Sequence, residues 1–258
     1  MRPLILITND DGPETRGVRR LYETAMEFGD VVVMMPDGNA SGRSLSLTTK
    51  QPVRVRELEH GEGLDVYCCD GTPVDCVKLA LEYFCPRQPA LVLSGINHGS
   101  NSSINVIYSG TMGAVIEAST QGFDAVGFSL LSHSPDADME PCIPYVRHIV
   151  GAVLGQGLPR GVSLNVNIPH LPASEIRGLR ICHEAQARWT DSFERRVDPR
   201  GRDYWWLTGK FECPTPDVGS DEWALRQGYV SVVPVNSDYT AYQTIGKLSG
   251  MEINNSNT

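Results

Sequence analysis

The stretch that decides the fold is Leu4-Ile5-Leu6-Ile7-Thr8-Asn9-Asp10-Asp11-Gly12, near the start of the chain. Its first part is an unbroken aliphatic run, which is typical of a strand buried on both faces of a parallel sheet. Its second part is a polar turn with two adjacent carboxylates and a glycine. Because open α/β sheets bind ligands outside the carboxyl ends of their strands, this turn is also the first candidate for a functional site.

The residues that follow extend this strand into a βαβ unit. Apolar residues recur from Val18 to Met26 at the i, i+3, i+4, i+7 spacing of one helix face, and Gly29 ends the helix. A second aliphatic run, residues 31–35, predicts the next strand. A unit of this kind crosses over right-handed in almost all proteins, which makes the two strands parallel neighbours in one sheet.

The same alternation continues to about residue 170. Further strands are predicted at residues 90–93, 125–129 and 164–168. Helical patterns begin near Val74, Met112 and Ile143. Two short extended runs predict a hairpin, at residues 53–55 and 64–68. We therefore predict an α/β fold with a Rossmann-like, mainly parallel, doubly wound sheet and a β-rich C-terminal extension.

A change of pattern after residue 170 predicts a catalytic domain, residues 1–170, and a C-terminal extension, residues 171–258. In the extension we expect a long two-stranded arm from Gly178 to Phe211, whose extended parts are residues 178–183 and 204–211, with the charged stretch 188–202 between them. Apolar side chains on such an arm are costly to expose, so we expect it to pack on a neighbouring subunit. The remaining expectations are a late strand, a terminal helix turn and a frayed tail, at residues 229–233, 242–248 and 253–258.

Composition and charge exclude several classes of protein. Of 258 residues, 41% are hydrophobic and 21% are charged, so a mainly disordered chain is excluded, and the net charge of −9 argues against binding to a nucleic-acid polymer. No run of 18 apolar residues and no secretory signal is found, so we expect neither a membrane span nor a membrane partner. The seven cysteines form no C-x-x-C pair, which favours reduced thiols in a cytoplasmic protein and no zinc site.

Two adjacent carboxylates, Asp10 and Asp11, are the first candidate metal ligands. They would repel each other at a strand end unless a cation lay between them, and an all-oxygen set selects Mg²⁺ or Mn²⁺. Asp-Asp-Gly is also typical of a turn in which one Asp caps the next helix. Polar residues after the second and third strands, Ser41 and Asn97, are expected at the same edge of the sheet as Asp10 and Asp11, and we call this edge the polar rim. The convergence of these four residues favours a metal site over a simple turn.

A second candidate site is the sequence Tyr108-Ser109-Gly110-Thr111-Met112-Gly113 at the start of a helix. Free N–H groups, the helix dipole and two hydroxyls make an anion site there, although Ser or Thr as an ordinary cap explains the same pattern. His98 is the one histidine beside the rim, and a histidine in such a place is more often a surface residue whose hydrogen bonds are already satisfied. Trp189, Trp205 and Trp206 are able to stack a base, but such residues more often pack a hairpin or an interface.

Five motifs in order resemble the survival protein E (SurE) family of metal-dependent nucleotidases. They are Asn9-Asp10-Asp11-Gly12, Ser41-Gly42-Arg43-Ser44, Gly71-Thr72-Pro73-Val74-Asp75-Cys76-Val77, Ser94-Gly95-Ile96-Asn97-His98-Gly99-Ser100-Asn101 and Tyr108-Ser109-Gly110-Thr111. The similarity extends over about residues 3–245. It departs from the family at Pro13-Glu14-Thr15-Arg16, beside the entrance of the expected pocket, and at Met34-Met35.

The resemblance implies hydrolysis of nucleoside 5′- and 3′-monophosphates with one divalent ion, Mg²⁺ or Mn²⁺, and in some members activity on short polyphosphate. It also implies a homodimer or homotetramer. Carried over by position, the metal ligands are Asp10, Asp11, Ser41 and Asn97, with Asp10 and Asp11 catalytic. The implied phosphate contacts are Asn101, Ser109, Gly110 and Thr111.

We expect direct attack of water on the phosphoryl group, because no Ser or Cys lies in a recognisable nucleophile motif. Asp10 or Asp11 would orient or deprotonate that water. One alternative is a receiver-like signalling module that holds Mg²⁺ beside a phosphoacceptor Asp, but Ser94-Gly95-Ile96-Asn97 stands where that Asp is required. Another is a nucleotide-binding protein without turnover, which would not need the Asp pair.

Overall fold

A computed structural model describes residues 2–252 of the chain. The strands in the first part are β1 (Leu4–Thr8), β2 (Asp30–Pro36), β3 (Val55–Gly61), β4 (Leu64–Cys69), β5 (Leu91–His98), β6 (Ala125–Leu130) and β7 (Val162–Ile168). Those that follow are β8 (Leu179–Ile181), β9 (Arg188–Val197), β10 (Asp203–Glu212) and β11 (Val230–Asn236). The α-helices are α1 (Arg16–Ala25), α2 (Pro73–Leu79), α3 (Gly110–Thr120), α4 (Ile143–Gln156), α5 (Asp221–Arg226) and α6 (Tyr242–Leu248).

Nine of these strands form one sheet, in the order β3-β4-β2-β1-β5-β6-β7-β11-β8. The central strands from β4 to β7 are parallel, whereas β3 and β11 pair antiparallel with their neighbours β4 and β7. Helices α1 and α4 pack on one face of the sheet, and α2 and α3 pack on the other. The predicted doubly wound α/β fold is therefore confirmed.

The decisive first strand lies in the middle of this sheet. All five residues of β1 are buried, because β2 and β5 pair with it on either side and helices cover both faces. Ile5 and Ile7 join the core beneath α1, while Leu4 and Leu6 join the core beneath α2 and α3. The carboxyl end of β1 consequently places Asn9 and Asp10 at the centre of the sheet edge.

Strand β5 runs further than its apolar sequence predicts. The prediction ended at Leu93, but the strand continues to His98 after a register shift between Ser94 and Asn97 against β6. Such a bulge lets a strand continue while it re-aims side chains. Asn97 and His98 are therefore held by the sheet itself and not by a loop.

The predicted arm exists, but the predicted pairing of its strands is wrong. The charged stretch is itself a strand, β9, and it pairs antiparallel with β10 from Arg188↔Glu212 to Val197↔Asp203. Strand β8, within the segment assigned to the arm, instead lies parallel to β11 at the edge of the main sheet. The sheet is thus completed after the arm and not before it.

Other features follow the sequence. Thr72 caps α2 with Pro73 in its first turn, and the seven cysteines are free thiols. Across residues 2–252, none of the helices combines the length and the apolar character needed to cross a bilayer. The predicted tail, residues 253–258, lies outside the described residues, and the division at residue 170 stays a prediction.

Candidate active site

The polar rim encloses a cavity of about 570 Å³ at the carboxyl ends of β1 and β5. Five of the eight predicted site residues line it: Asp10, Ser41, Asn97, Asn101 and Ser109. The other three, Asp11, Gly110 and Thr111, lie next to lining residues and support them. The cavity also has walls that the site prediction did not include, formed by His98, Tyr108, His133, Trp189, Asp191 and Leu207.

Asp10 is the most confined carboxylate of the rim. It is 3% exposed, and the Thr111 hydroxyl donates a hydrogen bond of 2.6 Å to its Oδ1 atom. A Cβ at Gly110 would lie 2.8 Å from Asp10 Oδ2, so only glycine allows the start of α3 to approach the carboxylate this closely. Burial raises the pKa of Asp10 to about 6, the hydrogen bond from Thr111 opposes that shift, and the charge of Asp11 adds to it.

Asp11 faces a different partner. Its Oδ2 atom lies 3.1 Å from the backbone nitrogen of His98 and also 3.1 Å from His98 Nδ1. The two side chains are 10% and 9% exposed. His98 is thus buried against the carboxylate pair, and the interpretation of His98 as a satisfied surface residue is wrong.

Asn97 and Ser41 supply neutral oxygens near this pair. Asn97 Nδ2 donates to the carbonyl of Gly99 at 2.9 Å, which leaves its Oδ1 atom available to a ligand. Ser41 lies exposed on the loop after β2, and the backbone N–H of Ala40 donates to the Asp10 carbonyl at 2.7 Å. That bond ties the Ser41 loop to the strand end that carries Asp10.

The far end of the Ser41 loop is anchored by Asp75 in the first turn of α2. Asp75 and Thr72 form a reciprocal capping box at the start of this helix. The Asp75 carboxylate also accepts the backbone N–H of Thr48 at 3.1 Å. Hydrogen bonds hold the pKa of Asp75 below its usual range despite burial, so a charged Asp75 fixes both the helix and the loop.

Asn101 is held by a network of buried amides. Its backbone N–H donates to Asn167 Oδ1 at 2.8 Å, and its carbonyl accepts from Asn165 Nδ2 at 2.7 Å. Its own Nδ2 donates to the hydroxyl of Ser129 at 2.8 Å. Sequence reasoning missed Asn165 and Asn167, although two amides alternating within a strand predicted to be buried were a readable signal.

The two hydroxyls at the start of α3 have different partners. Ser109 is the N-cap, and its Oγ atom accepts the backbone N–H of Met112 at 3.0 Å, which leaves its own O–H free to donate. Thr111 is fully buried, and its O–H donates a hydrogen bond to Asp10. Ser109 is therefore placed to bind an anion in the cavity, whereas the Thr111 side chain acts on the carboxylate.

C-terminal residues hold the segment between β5 and α3. Asp221, fully buried at the start of α5, accepts the backbone N–H of Ser103 at 2.7 Å and that of Ala185 at 2.9 Å. At the base of the arm, Trp189 Nε1 donates to Asn105 Oδ1 at 2.7 Å. The extension thus completes the cavity within the same chain.

The donor set fits a hard divalent ion. A carboxylate as buried as Asp10 gains most from a cation, because a positive charge reverses the cost of its desolvation. Among residues 2–252, no three Asp, Glu, His or Cys side chains gather as a metal cluster, so an ion here would also need neutral oxygens. Asn97 and Ser41 carry such oxygens, and oxygen ligands of this kind suit Mg²⁺ and Mn²⁺.

Comparisons with known proteins agree with this geometry. Residues 5–191 match the family described as Survival protein SurE. The chain is 49% identical over 98% of both chains to a protein of Christiangramia forsetii named 5′-nucleotidase SurE, and 46% identical over 98% of both chains to one of Phocaeicola vulgatus with the same name. The crystal structure of SurE from Aquifex aeolicus superposes with a TM-score of 0.83 at 33% identity, covering 97% of this chain and 100% of that one. With its sequence, its fold and the polar rim in agreement, the chain belongs to the SurE family.

Proposed function

We propose that this protein is a phosphatase that hydrolyses nucleoside 5′- and 3′-monophosphates with one divalent ion, Mg²⁺ or Mn²⁺, held by Asp10, Asp11, Ser41 and Asn97. The observation that carries the proposal is the buried carboxylate of Asp10, with its raised pKa, directly against the start of α3 in an open cavity. Such a site combines a place for a cation with donors for an anion. The relatives named 5′-nucleotidase SurE support the hydrolysis of 5′-monophosphates.

Different residues of the cavity have different roles in the transfer of the phosphoryl group to water. When bound, the ion supplies Lewis-acid polarisation of the phosphoryl group. The Ser109 hydroxyl, the first N–H groups of α3 and the Asn101 side chain bind the phosphate oxygens and stabilise the charge that develops on them. Asp10 or Asp11 orients the attacking water and accepts its proton.

The base of the arm forms part of the cavity wall. Trp189 and Leu207 add apolar surface there, beside the polar Asp191 and Thr208. An aromatic ring at this position offers a stacking surface to the base of a nucleotide. The cavity therefore combines polar groups suited to the phosphate with apolar surface suited to the nucleoside.

The function is tested by measuring free phosphate released from a panel of 5′- and 3′-nucleoside monophosphates with Mg²⁺, with Mn²⁺ and with EDTA. We expect phosphate release to require the ion. Short polyphosphate is included in the same assay as a further compound to be tested. Acetyl phosphate separates the signalling alternative, because a receiver-like module would keep a stable phosphoryl group on the protein. Nucleotide binding without phosphate release under any metal would contradict the proposal.

We also propose that the arm mediates assembly into a homodimer or homotetramer. Because side chains alternate along a strand, the β9–β10 register gathers most apolar side chains of the arm on one face, called the apolar face. That face carries Trp189, Phe193, Val197, Trp205, Leu207 and Phe211, together with the charged Asp191, Arg195 and Asp203. Its base closes the cavity, whereas Phe193 and Trp205 further out are 64% and 55% exposed, which is a surface suited to a second copy of the chain.

A further inference from the structure

His98 has two ring nitrogens in unlike surroundings. Nδ1 lies 3.1 Å from Asp11 Oδ2, and the backbone N–H of His98 reaches the same oxygen at the same distance. A carboxylate oxygen only accepts hydrogen bonds, so Nδ1 carries the proton in this contact. Two donors from one residue therefore fix a single oxygen of Asp11.

The other nitrogen, Nε2, is buried and has no hydrogen-bond partner among the described residues. A buried polar atom without a partner loses its hydrogen bonds to water and gains none in return, so such atoms in native proteins call for an explanation. The His98 side chain is only 9% exposed, yet the residue lies on the wall of the cavity beside Asp10 and Asn97. Of the unpartnered buried side-chain atoms among the described residues, Nε2 is the one whose residue lines this cavity.

We propose that His98 is a positioning residue that uses both nitrogens: Nδ1 holds Asp11 in place for the ion, and Nε2 accepts a hydrogen bond from an O–H group of the bound reactants. With Nδ1 protonated, the neutral ring offers a lone pair at Nε2, and such an acceptor needs a donor. Two O–H groups are available in the reaction, a sugar hydroxyl of the nucleotide and the attacking water. This inference rests on the proposed phosphatase function, but its metal-holding part is measurable without turnover.

Two amide substitutions distinguish the roles of the two ring nitrogens of His98. The side-chain nitrogen of asparagine lies close to the position of Nδ1, so His98→Asn keeps the contact with Asp11 and removes the Nε2 atom. Glutamine reaches the position of Nε2, so His98→Gln loses the side-chain contact with Asp11, retains the backbone contact and keeps a polar atom near the cavity. The matched control is His60→Asn, which alters another His–Asp pair, with Asp65, on the exposed β3–β4 hairpin.

The first measurement is the binding of Mn²⁺ to the metal-free protein, followed by electron paramagnetic resonance of the free ion. Partners that orient metal ligands typically contribute 10–100-fold to metal affinity. We expect His98→Gln to raise the dissociation constant for Mn²⁺ about 10-fold, and His98→Asn and His60→Asn to change it less than about 2-fold.

The second measurement is kcat and KM at saturating Mn²⁺ for a ribonucleotide, its 2′- and 3′-deoxy analogues and p-nitrophenyl phosphate. We expect His98→Asn to lower kcat about 10-fold on the ribonucleotide, the size of one lost hydrogen bond. An equal loss on p-nitrophenyl phosphate, which has no sugar, assigns the donor to water. A loss confined to substrates with the hydroxyl assigns it to the sugar.

The outcomes decide the inference separately from the function. If the wild-type protein releases no phosphate, the proposed function fails, while the Mn²⁺ titration still tests the hold on Asp11. If the wild type is active and both His98 variants match it in Mn²⁺ affinity and kcat, the inference is wrong. Equal loss of Mn²⁺ affinity in both variants also overturns it, because packing of the ring and not its two nitrogens would then matter.

Discussion

The rim of the cavity and the arm differ in how far their side chains are buried and in whether those side chains have partners. At the rim, most polar side chains other than Ser41 are buried or half-buried, and Asp10, Asp11 and Asn101 each have partners from the same chain. In the arm, every residue of β9 is exposed, and the partner strand β10 is exposed over most of its length. The rim is therefore complete within one chain except for its ligands, whereas the arm leaves apolar surface in water. The difference is the one expected if the first region binds a ligand and the second associates with another copy of the chain, as the two proposals state.

The largest expected effect is at the centre of the rim. Asp10→Asn removes the buried negative charge that the ion would neutralise, so we expect turnover to fall by about 1,000-fold or more, while the fold stays intact. Phosphate release with Mg²⁺ or Mn²⁺ measures the effect, and circular dichroism checks the fold. The control is Asp136→Asn, which alters an exposed carboxylate. A variant with near-wild-type turnover, even in EDTA, would show that Asp10 holds no ion.

The same carboxylate makes the metal-free protein sensitive to pH. The pKa of Asp10 is raised from 3.8 to about 6 in the folded chain, so the protonated form favours folding. That stabilisation is fully present below about pH 4 and is lost as the pH rises through about 6. At about 1.4 kcal/mol per pKa unit, the loss is on the order of 3 kcal/mol.

Chemical denaturation in EDTA at pH 4 and pH 7 measures this loss. The Asp10→Asn variant lacks the ionisation, so we expect its advantage in unfolding free energy over the wild type to grow with pH. A constant difference between the two proteins across this range would mean that Asp10 is not held in an unfavourable charged state.

The arm allows a matched pair of substitutions. Trp205 and Trp206 are neighbours with similar exposure, 55% and 57%, but strand alternation places Trp205 on the apolar face and Trp206 on the opposite one. Loss of a large aromatic at the centre of an interface costs about 2 kcal/mol or more, so we expect Trp205→Ser to weaken self-association about 30-fold. Trp206→Ser should change it less than about 3-fold.

Light scattering behind a sizing column, over a dilution series, gives both dissociation constants. A wild-type mass of one chain at micromolar concentration would end the assembly proposal. Equal weakening by both substitutions would mean that the apolar face is not the contact.

The smallest expected effects separate the two hydroxyls at the start of α3. Ser109→Ala removes a free donor, so we expect the inhibition constant of inorganic phosphate to rise about 10-fold, since a hydrogen bond to a charged group contributes about 1.5–3 kcal/mol. Thr111→Val removes the bond to Asp10 instead, so its main effect should be on Mn²⁺ affinity. If Ser109→Ala leaves phosphate inhibition unchanged, its hydroxyl is only a helix cap.

Sequence reasoning succeeded where one local signal dominates. The aliphatic run of β1 and the 3.6-residue spacing of α1 each appear in the structure as predicted. It failed for β9, because Trp189, Phe193 and Val197 are four residues apart and the charged Asp191 and Arg195 stand between them on the same face, so charge dominates the stretch. An interrupted alternation in an exposed strand is a weak signal when no face is buried within the chain.

The sequence by itself determined the order of strands and helices up to about residue 170, the family and the polar residues that follow each strand, because these depend on local pattern and motif. The tertiary structure alone decided which of those residues meet. A bulge in β5 brings His98 onto Asp11, the approach of α3 buries Asp10 beneath Thr111, and two amides of β7 hold Asn101. Such contacts join residues from about 60 to 100 positions apart, and the burial that shifts the pKa of Asp10 exists only once the sheet and its helices have packed.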